Sequence, residues 1–321
     1  DRNIRLVFTA HDFFPICPKV TLFRHGSVCQ SAQGCKECGV CNSTALSLNK
    51  IRLLQSPLYR KLKDLPMIKI LRKRHRDGYL SETTAGDSER LVGTAEEYRS
   101  LRNYYYSLLK LMDVIHYNSS ITKMVYESVF YLPDSRVLGI THSDIIDNRR
   151  IRDYSDGKLR IRYLGPQSGA KGFFLLKEAL DEVWREQQNF CLDIHFIPTE
   201  MSPYIRVHSK YSYEELEAIF NESDILAAPS IWFETFGFTV LEALSYGVPV
   251  MVSGNVGAKD ILAEGTGIVI ENITPQKLCT AVRSVTQERL KKMNRAIVEH
   301  QSIMQIECMA TQIEKLCYGW Q

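Results

Sequence analysis

Two glutamates, Glu234 and Glu242, stand eight residues apart in the stretch SIWFETFGFTVLEALSYGVPV, on either side of a Phe-Gly turn. A carboxylate set among Trp232, Phe233 and Phe236 is costly to bury unless something donates hydrogen bonds to it. A polyhydroxylated ligand would do so; the alternative is a solvated loop acid. Glu242 has a structural reading of its own, because Thr239 followed three residues later by Glu242 forms a capping box, T-x-x-E. Gly237 lets backbone approach a ligand closely. The backbone N–H groups of Phe238, Thr239 and Val240, at a helix start, suit a phosphate. Lys171 follows Gly165 in a G-x5-KG stretch that opens a helix, and taken alone it is an ordinary exposed lysine. His11 ends the strand-like IRLVFTA, where ligands are met in α/β sheets, although a lone histidine is more often structural. Asp12 either caps the following turn or meets a substrate.

A second constellation is CQSAQGCKECGVC, which spaces Cys29, Cys35, Cys38 and Cys41 as C-x5-C-x2-C-x2-C with Cys17 nearby. Its C-x2-C steps match zinc-knuckle spacing. Structural zinc and reduced thiols stand as equal readings, and an iron–sulfur cluster is a third that lacks its fourth cysteine after Cys41. A third constellation is basic: from Lys50 to Arg76 ten Lys and Arg face one acid, Asp64, with Leu54, Leu58 and Leu62 one turn apart. Such a segment either lies on an anionic membrane or forms a solvated face with an apolar stripe turned inward. No aromatic stacking platform accompanies the charge, so nucleic acid is not expected.

The elements that must position these groups follow from periodicity. From about residue 158, the strand-like IRYLG, CLDIHFI, ILAAPS, PVMVS and GIVI alternate with the helical FFLLKEALDEVWREQ, YEELEAIFNESD, TVLEALSY and AKDILAE. That alternation predicts an α/β fold with a doubly wound parallel sheet, whose ligands sit at the strands' carboxyl ends. The first half, with strands IRLVFTA, DVIHYN and RVLGIT and helices near 95–110 and 121–131, is less regular. It predicts a partial Rossmann-like domain over 1–148 with a Cys-rich and basic insertion at about 17–90. The second domain is expected over 149–304, and a C-terminal helix at 305–321 could cross back to the first. The chain opens directly on a strand. The expectation is that roughly 80–100 residues of an ordinary-sized domain precede it.

Bulk properties narrow the class. Apolar residues at 45% and charged residues at 24% of 321 are those of a globular protein, and the net charge of +3 does not by itself suggest nucleic acid. No run approaches the roughly 18 apolar residues of a membrane span, and no signal peptide opens the chain. Cytoplasmic localisation is the expectation.

The segment PSIWFETFGFTVLEALSYGVPVMVSGNVGAKDIL strongly resembles the C-terminal domain of retaining family 4 glycosyltransferases of the GT-B fold. YLGPQSGAKGFFLLKEAL, SYEELEAIFNESDILAAPS and VFTAHDFFPICP resemble further segments of that family. The likeness is most specific from 160 to 270. It implies two Rossmann-like domains facing a cleft, the N-terminal one incomplete, and transfer of a sugar from a UDP- or GDP-sugar to an acceptor hydroxyl with retention. Implied acceptors are glycans or lipid-linked species in cell-surface polysaccharide or glycoconjugate synthesis, and an implied location is the inner face of the membrane. Glu242 would bind the ribose hydroxyls, Glu234 and His11 would flank the donor sugar, and Gly165, Lys171, Gly237, Phe238 and Thr239 would surround the diphosphate. No bound metal is implied for catalysis. In two respects the chain departs from the family pattern. Pro166 stands where many relatives carry an arginine, for which Arg162 or a cation from the residues expected to precede the chain is a candidate substitute, and the family's N-terminal glycine-rich loop has no counterpart. The chain would therefore bind nucleotide but turn over slowly. The rival readings are a non-catalytic nucleotide-sugar-binding protein and a GT-B nucleotide-sugar epimerase.

Overall fold

The computed structural model describes residues 4–29, 34–43, 47–70, 91–132 and 134–319. The chain divides into two compact units, one made of Phe13–Leu108 and the other of Asp1–Asp12 with Leu109–Gln321.

The smaller unit holds a two-stranded ribbon, β2 (Phe23–Arg24) and β3 (Ser27–Val28), and the helices α1 (Cys38–Cys41), α2 (Leu48–Gln55), α3 (Pro57–Leu62) and α4 (Ala95–Leu109). Ser47 and Ser56 start α2 and α3 by accepting from Lys50 N and Tyr59 N, the side-chain capping that serine provides. Thr94 and Glu97 cap α4 reciprocally, at 2.7 and 3.2 Å. The buried Arg102 guanidinium ties α4 to the Ile16 carbonyl at 2.8 and 3.1 Å.

The larger unit contains two parallel sheets. The first has the order β1-β4-β5, from β1 (Val7–Ala10), β4 (Val114–Tyr117) and β5 (Ser135–Val137), with α5 (Ser120–Glu127) between β4 and β5. The second is six-stranded. In chain order it comprises β6 (Leu159–Tyr163), α6 (Phe173–Trp184), β7 (Phe190–Ile194), β8 (Ile205–Val207), α7 (Leu216–Asn221), β9 (Ile225–Ala228), α8 (Phe238–Ser245), β10 (Val250–Ser253), β11 (Gly267–Ile270), α9 (Pro275–Arg283), α10 (Gln287–His300) and α11 (Ile306–Ile313). The stretch predicted as a helix at AKDILAE is a 3₁₀ turn, Gly257–Ile261. RVLGIT contributes only its first residues to β5. The strand order is β11-β10-β9-β6-β7-β8, all parallel. The chain starts at β6, winds outward through β7 and β8, then returns to lay β9, β10 and β11 on the other flank. Its winding reverses between β6 and β9, the topological switch point at which such sheets open a crevice.

Strand alternation sorts the core into two layers. Ile225, Ala227 and Met251 point toward α6, α9 and α10, where they meet Leu176, Leu180, Leu278 and Met293. Leu226, Val250 and Val252 point the other way, toward Phe220 of α7 and Val240 and Leu244 of α8. On α6, Phe173, Leu176, Leu180 and Val183 recur at helical spacing and are buried. With both faces covered, the loops after β6 and β9 are left at the open edge. The C-terminal α11 lies beside the segment after β5, with Met309 Sδ accepting from Thr141 N at 3.2 Å.

Candidate functional site

The loops after β6 and β9 are built as one piece. Gly172 caps α6 with φ +76°, and a Cβ there would sit 1.9 Å from the Pro229 carbonyl oxygen. Only glycine fits, and the start of α6 is therefore pressed against the end of β9. The Ala170 carbonyl accepts from both Ile231 N and Trp232 N, at 2.8 and 3.1 Å. Upstream, the loop folds over the buried Tyr163, whose hydroxyl donates to Pro166 O at 2.8 Å. A Cβ on Gly165 would come within 2.6 Å of that hydroxyl.

This stitching delivers Lys171 to Glu234. The ammonium pairs with Glu234 Oε2, which also accepts from Trp232 Nε1 at 2.9 Å. Lys171 Nζ lies 4.7 Å from the centre of the Trp232 ring, an additional cation–π contact. The Glu234 backbone is fixed separately, with Glu234 N donating to Asn255 O and Gly257 N donating to Glu234 O, each at 2.9 Å. Both side chains stay partly exposed, 27% for Lys171 and 20% for Glu234, so the pair can still exchange partners with a ligand.

Three residues on, Gly237 takes φ +101° and caps α8, which begins at Phe238. The expected T-x-x-E box does not form. Thr239 lies inside the helix, and the α8 cap makes no side-chain hydrogen bond. The first N–H groups of any helix have no acceptor within it, and here Phe238 and Thr239 occupy that position at the open end of the crevice. Glu242 faces away from the cap. It is 8% exposed and accepts from Tyr213 Oη at 3.1 Å, with His142 Nε2 3.8 Å from the same oxygen. Burial pushes its carboxyl above the usual carboxylate range, and the Tyr213 hydrogen bond only partly opposes this. His11 reaches the site through its backbone, since Thr235 Oγ1 donates to His11 O at 3.0 Å while the residue stays exposed. The Asp12 carbonyl accepts from Tyr126 Oη at 2.8 Å. Lys171, Glu234, Gly237, Phe238, Thr239 and His11 thus belong to one neighbourhood, with Glu242 one helical turn behind.

Arg162 does not replace the cation missing at Pro166. Its guanidinium is buried inside the sheet, where it donates to Ser223 Oγ at 2.9 Å and to His195 Nε2 at 3.3 Å. Its side chain is turned to the α7 side of the sheet and buried there, although Arg162 stands only one residue before the end of β6. Sequence reasoning also missed Trp232 as a partner of Glu234, and Tyr213 and His142 as partners of Glu242. Trp232 was visible at i−2; the other two come from distant segments that no local spacing signals.

The zinc reading of Cys29, Cys35, Cys38 and Cys41 is corrected. Among the described residues no three His, Cys, Asp or Glu side chains gather to hold a metal ion. Burial raises the thiols of Cys17, Cys41 and Cys38, the last to about 12. Burial thus favours the neutral S–H form of these three thiols in the metal-free protein.

Residues 199–301 match the family described as Glycosyl transferases group 1. Among curated proteins, a D-inositol 3-phosphate glycosyltransferase of Corynebacterium aurimucosum is 30% identical over 115 residues, 35% of this chain and 27% of that protein. An uncharacterised 41.2 kDa protein in the cps region of Klebsiella pneumoniae is 40% identical over 58 residues, 18% of this chain and 16% of that protein. The chain spans no more than 27% of the length of these relatives. Among solved structures, sucrose-phosphate synthase of Thermosynechococcus elongatus superposes with a TM-score of 0.53 at 17% identity, over 76% of this chain and 64% of that one. Anabaena HepE in complex with UDP and glucose gives 0.57 at 12% identity, over 99% and 100%. The likeness to these structures is one of fold, and the fold is GT-B.

Proposed function

We propose that the chain is a retaining, family 4 glycosyltransferase that takes its sugar from a UDP- or GDP-sugar and passes it to an acceptor hydroxyl. The observation that carries this reading is the Lys171–Glu234 pair at the entrance of α8, at the sheet's switch point, with Glu242 on the same helix. UDP in the HepE structure and the group 1 match over 199–301 support it.

In this account the diphosphate lies on the N–H groups of Phe238 and Thr239, where Gly165 and Gly237 allow close backbone approach. The helix start and the Lys171 ammonium stabilise the charge that grows as the glycosidic bond breaks. This supplies in fixed form what a metal supplies elsewhere. Lys171 turns from Glu234 to the phosphates as donor enters, freeing Glu234 for the sugar hydroxyls. Glu242 takes the ribose hydroxyls and His11 faces the sugar. Retention follows if the acceptor attacks on the leaving-group face, with the departing diphosphate receiving the acceptor proton. The full chain supplied with UDP- or GDP-sugars and glycan acceptors should release nucleoside diphosphate only when acceptor is present, with the product keeping the donor's anomeric configuration. Release without acceptor, or an inverted product, rejects the reading.

A second reading has an observation of its own. Pro166 offers no cation, Arg162 is buried, and Lys171 is already paired. A nucleotide-sugar-binding protein without turnover would bind donor and release nothing with any acceptor.

The acceptor class proposed is a glycan or lipid-linked species in cell-surface polysaccharide or glycoconjugate synthesis, met in the cytoplasm at an anionic membrane face. Support comes from the smaller unit, where Leu53, Leu65, Met67 and Ile70 are between 50% and 72% exposed among Lys50, Arg52, Arg60, Lys61, Lys63 and Lys69. Residues 71–76 of the basic run lie outside the described residues. Among the described residues no helix is long and apolar enough to cross a membrane. Flotation with vesicles containing anionic lipid, reversed by salt, tests this; equal flotation with neutral vesicles contradicts it.

A further inference from the structure

Glu242 is reached by side chains from two other segments, and their hydrogens can be placed. In the neutral His142 ring, Nδ1 accepts the Asp144 N–H at 3.3 Å, which puts the ring proton on Nε2. Nε2 then donates to Tyr213 Oη at 3.0 Å, and the phenol's single proton is directed to Glu242 Oε1 at 3.1 Å. Burial and the nearby Glu242 carboxylate raise the Tyr213 phenol far above its ordinary value, so that proton stays in place. His142 is itself wedged edge-on between the rings of Phe238, 5.1 Å away, and Tyr213, 5.5 Å away. His142 follows β5, Tyr213 belongs to the 3₁₀ turn Tyr213–Glu215 before α7, and Glu242 is on α8. Helix geometry alone would not bring the three together. Among the described residues nothing donates to Glu242 Oε2.

We propose that Tyr213 and His142 are positioning residues that occupy one oxygen of Glu242 and hold the other, Oε2, toward the vicinal hydroxyls of the donor's ribose. This rests on the ribose reading of Glu242. The physical gain is preorganisation. The last torsion of a glutamate is broad, and a carboxylate already held by one oxygen loses less freedom when a ligand arrives. Tyr213 contributes direction, and His142 contributes the donor that prevents the phenol from turning its proton elsewhere.

Equilibrium binding of UDP, GDP and their 2′,3′-dideoxy forms to the full chain tests it, in wild type, Glu242→Gln, Tyr213→Phe, His142→Leu and His142→Gln. Wild type should prefer one ribose form over its dideoxy analogue by about tenfold or more, as expected for hydrogen bonds to a charged group. Y213F and H142L should each cut that preference severalfold with dideoxy binding unchanged. H142Q, whose amide can still donate to the Tyr213 hydroxyl, should retain most of it. A preference kept in full by Y213F and H142L but lost in E242Q overturns the relay and leaves the ribose role of Glu242 standing. A wild type that shows no preference, or binds neither nucleotide, removes the ribose reading and the relay with it. Should Y213F fail to fold, the contrast between H142L and H142Q decides the question alone.

Discussion

The two ends of the six-stranded sheet use their charged groups in opposite ways. At the amino end, four arginines and four acids line a cavity of about 680 Å³, and several of them bond within the fold. Arg160 pairs with Asp156 and Asp224, the Asp224 carboxylate also accepts from Arg160 N at 2.7 Å, and Arg152 donates to the carbonyls of Phe220 and Ser223. This network fastens the segment before β6 to the start of β9. At the carboxyl end the groups are fewer and less satisfied. Glu242 has one oxygen engaged, Lys171 and Glu234 are partly exposed, and the start of α8 has no side-chain cap. Under the proposed function, the large charged cavity is not the site, and the groups at the strands' carboxyl ends are.

Substitutions at the two ends should separate these roles. The largest effect is expected for Gly172→Val, where a Cβ would strike the Pro229 carbonyl and the residue would be forced to positive φ. Loss of about 3 kcal/mol or more in denaturant unfolding is predicted; wild-type stability would contradict the packing described for the two loops. Asp224→Ala, at the amino end, should cost roughly 2 kcal/mol by leaving Arg160 without its inner partner, with nucleotide affinity unchanged. A change in affinity would mean that the amino-end cavity takes part in binding. Glu242→Gln should do the reverse, with stability kept or raised and nucleotide binding weaker by about tenfold.

Glu242 also predicts a pH signature. Its folded-state carboxyl lies above the ordinary 4.5 because burial disfavours the charge. The folded chain therefore holds a proton that the unfolded chain has lost across that window. Its contribution favours the fold most at low pH and is lost as pH rises from 4.5 through the raised value. Nucleotide affinity, which needs the carboxylate, should rise over the same window. Both trends should flatten in E242Q, and affinity that falls with rising pH there in the wild type would contradict the assignment. The smallest effect concerns Lys171 and Glu234. A double-mutant cycle with Lys171→Met and Glu234→Gln should give a stability coupling of no more than about 1 kcal/mol, because the pair is partly exposed.

Much of this could be read from residue order. Alternating strands and helices over 159–270 led to a doubly wound sheet, and the resemblance of the G-x5-KG and E-x7-E stretches to family 4 glycosyltransferases pointed to the two loops that meet at its switch point. Contacts between distant segments were not legible. Tyr213 and His142 lie 29 and 100 residues from Glu242, and only the return of the chain from β8 to β9 brings Tyr213 there. The capping box at Thr239 was a reasonable local inference that failed because Gly237, free to adopt φ +101°, starts the helix two residues earlier. Arg162 misled for a related reason: its guanidinium is taken up inside the fold by Ser223 Oγ and the Ile219 carbonyl, which lie about 60 residues away in sequence. The cysteine spacing was metal-like, but among the described residues no three ligating side chains gather around one point.

Amide hydrogen exchange of the full chain with and without saturating UDP- or GDP-sugar tests the central assignment most directly. Protection concentrated in residues 165–172 and 230–242, with 150–160 and 221–224 unchanged, is the predicted result. Protection at the amino end, or none at either end, would contradict it.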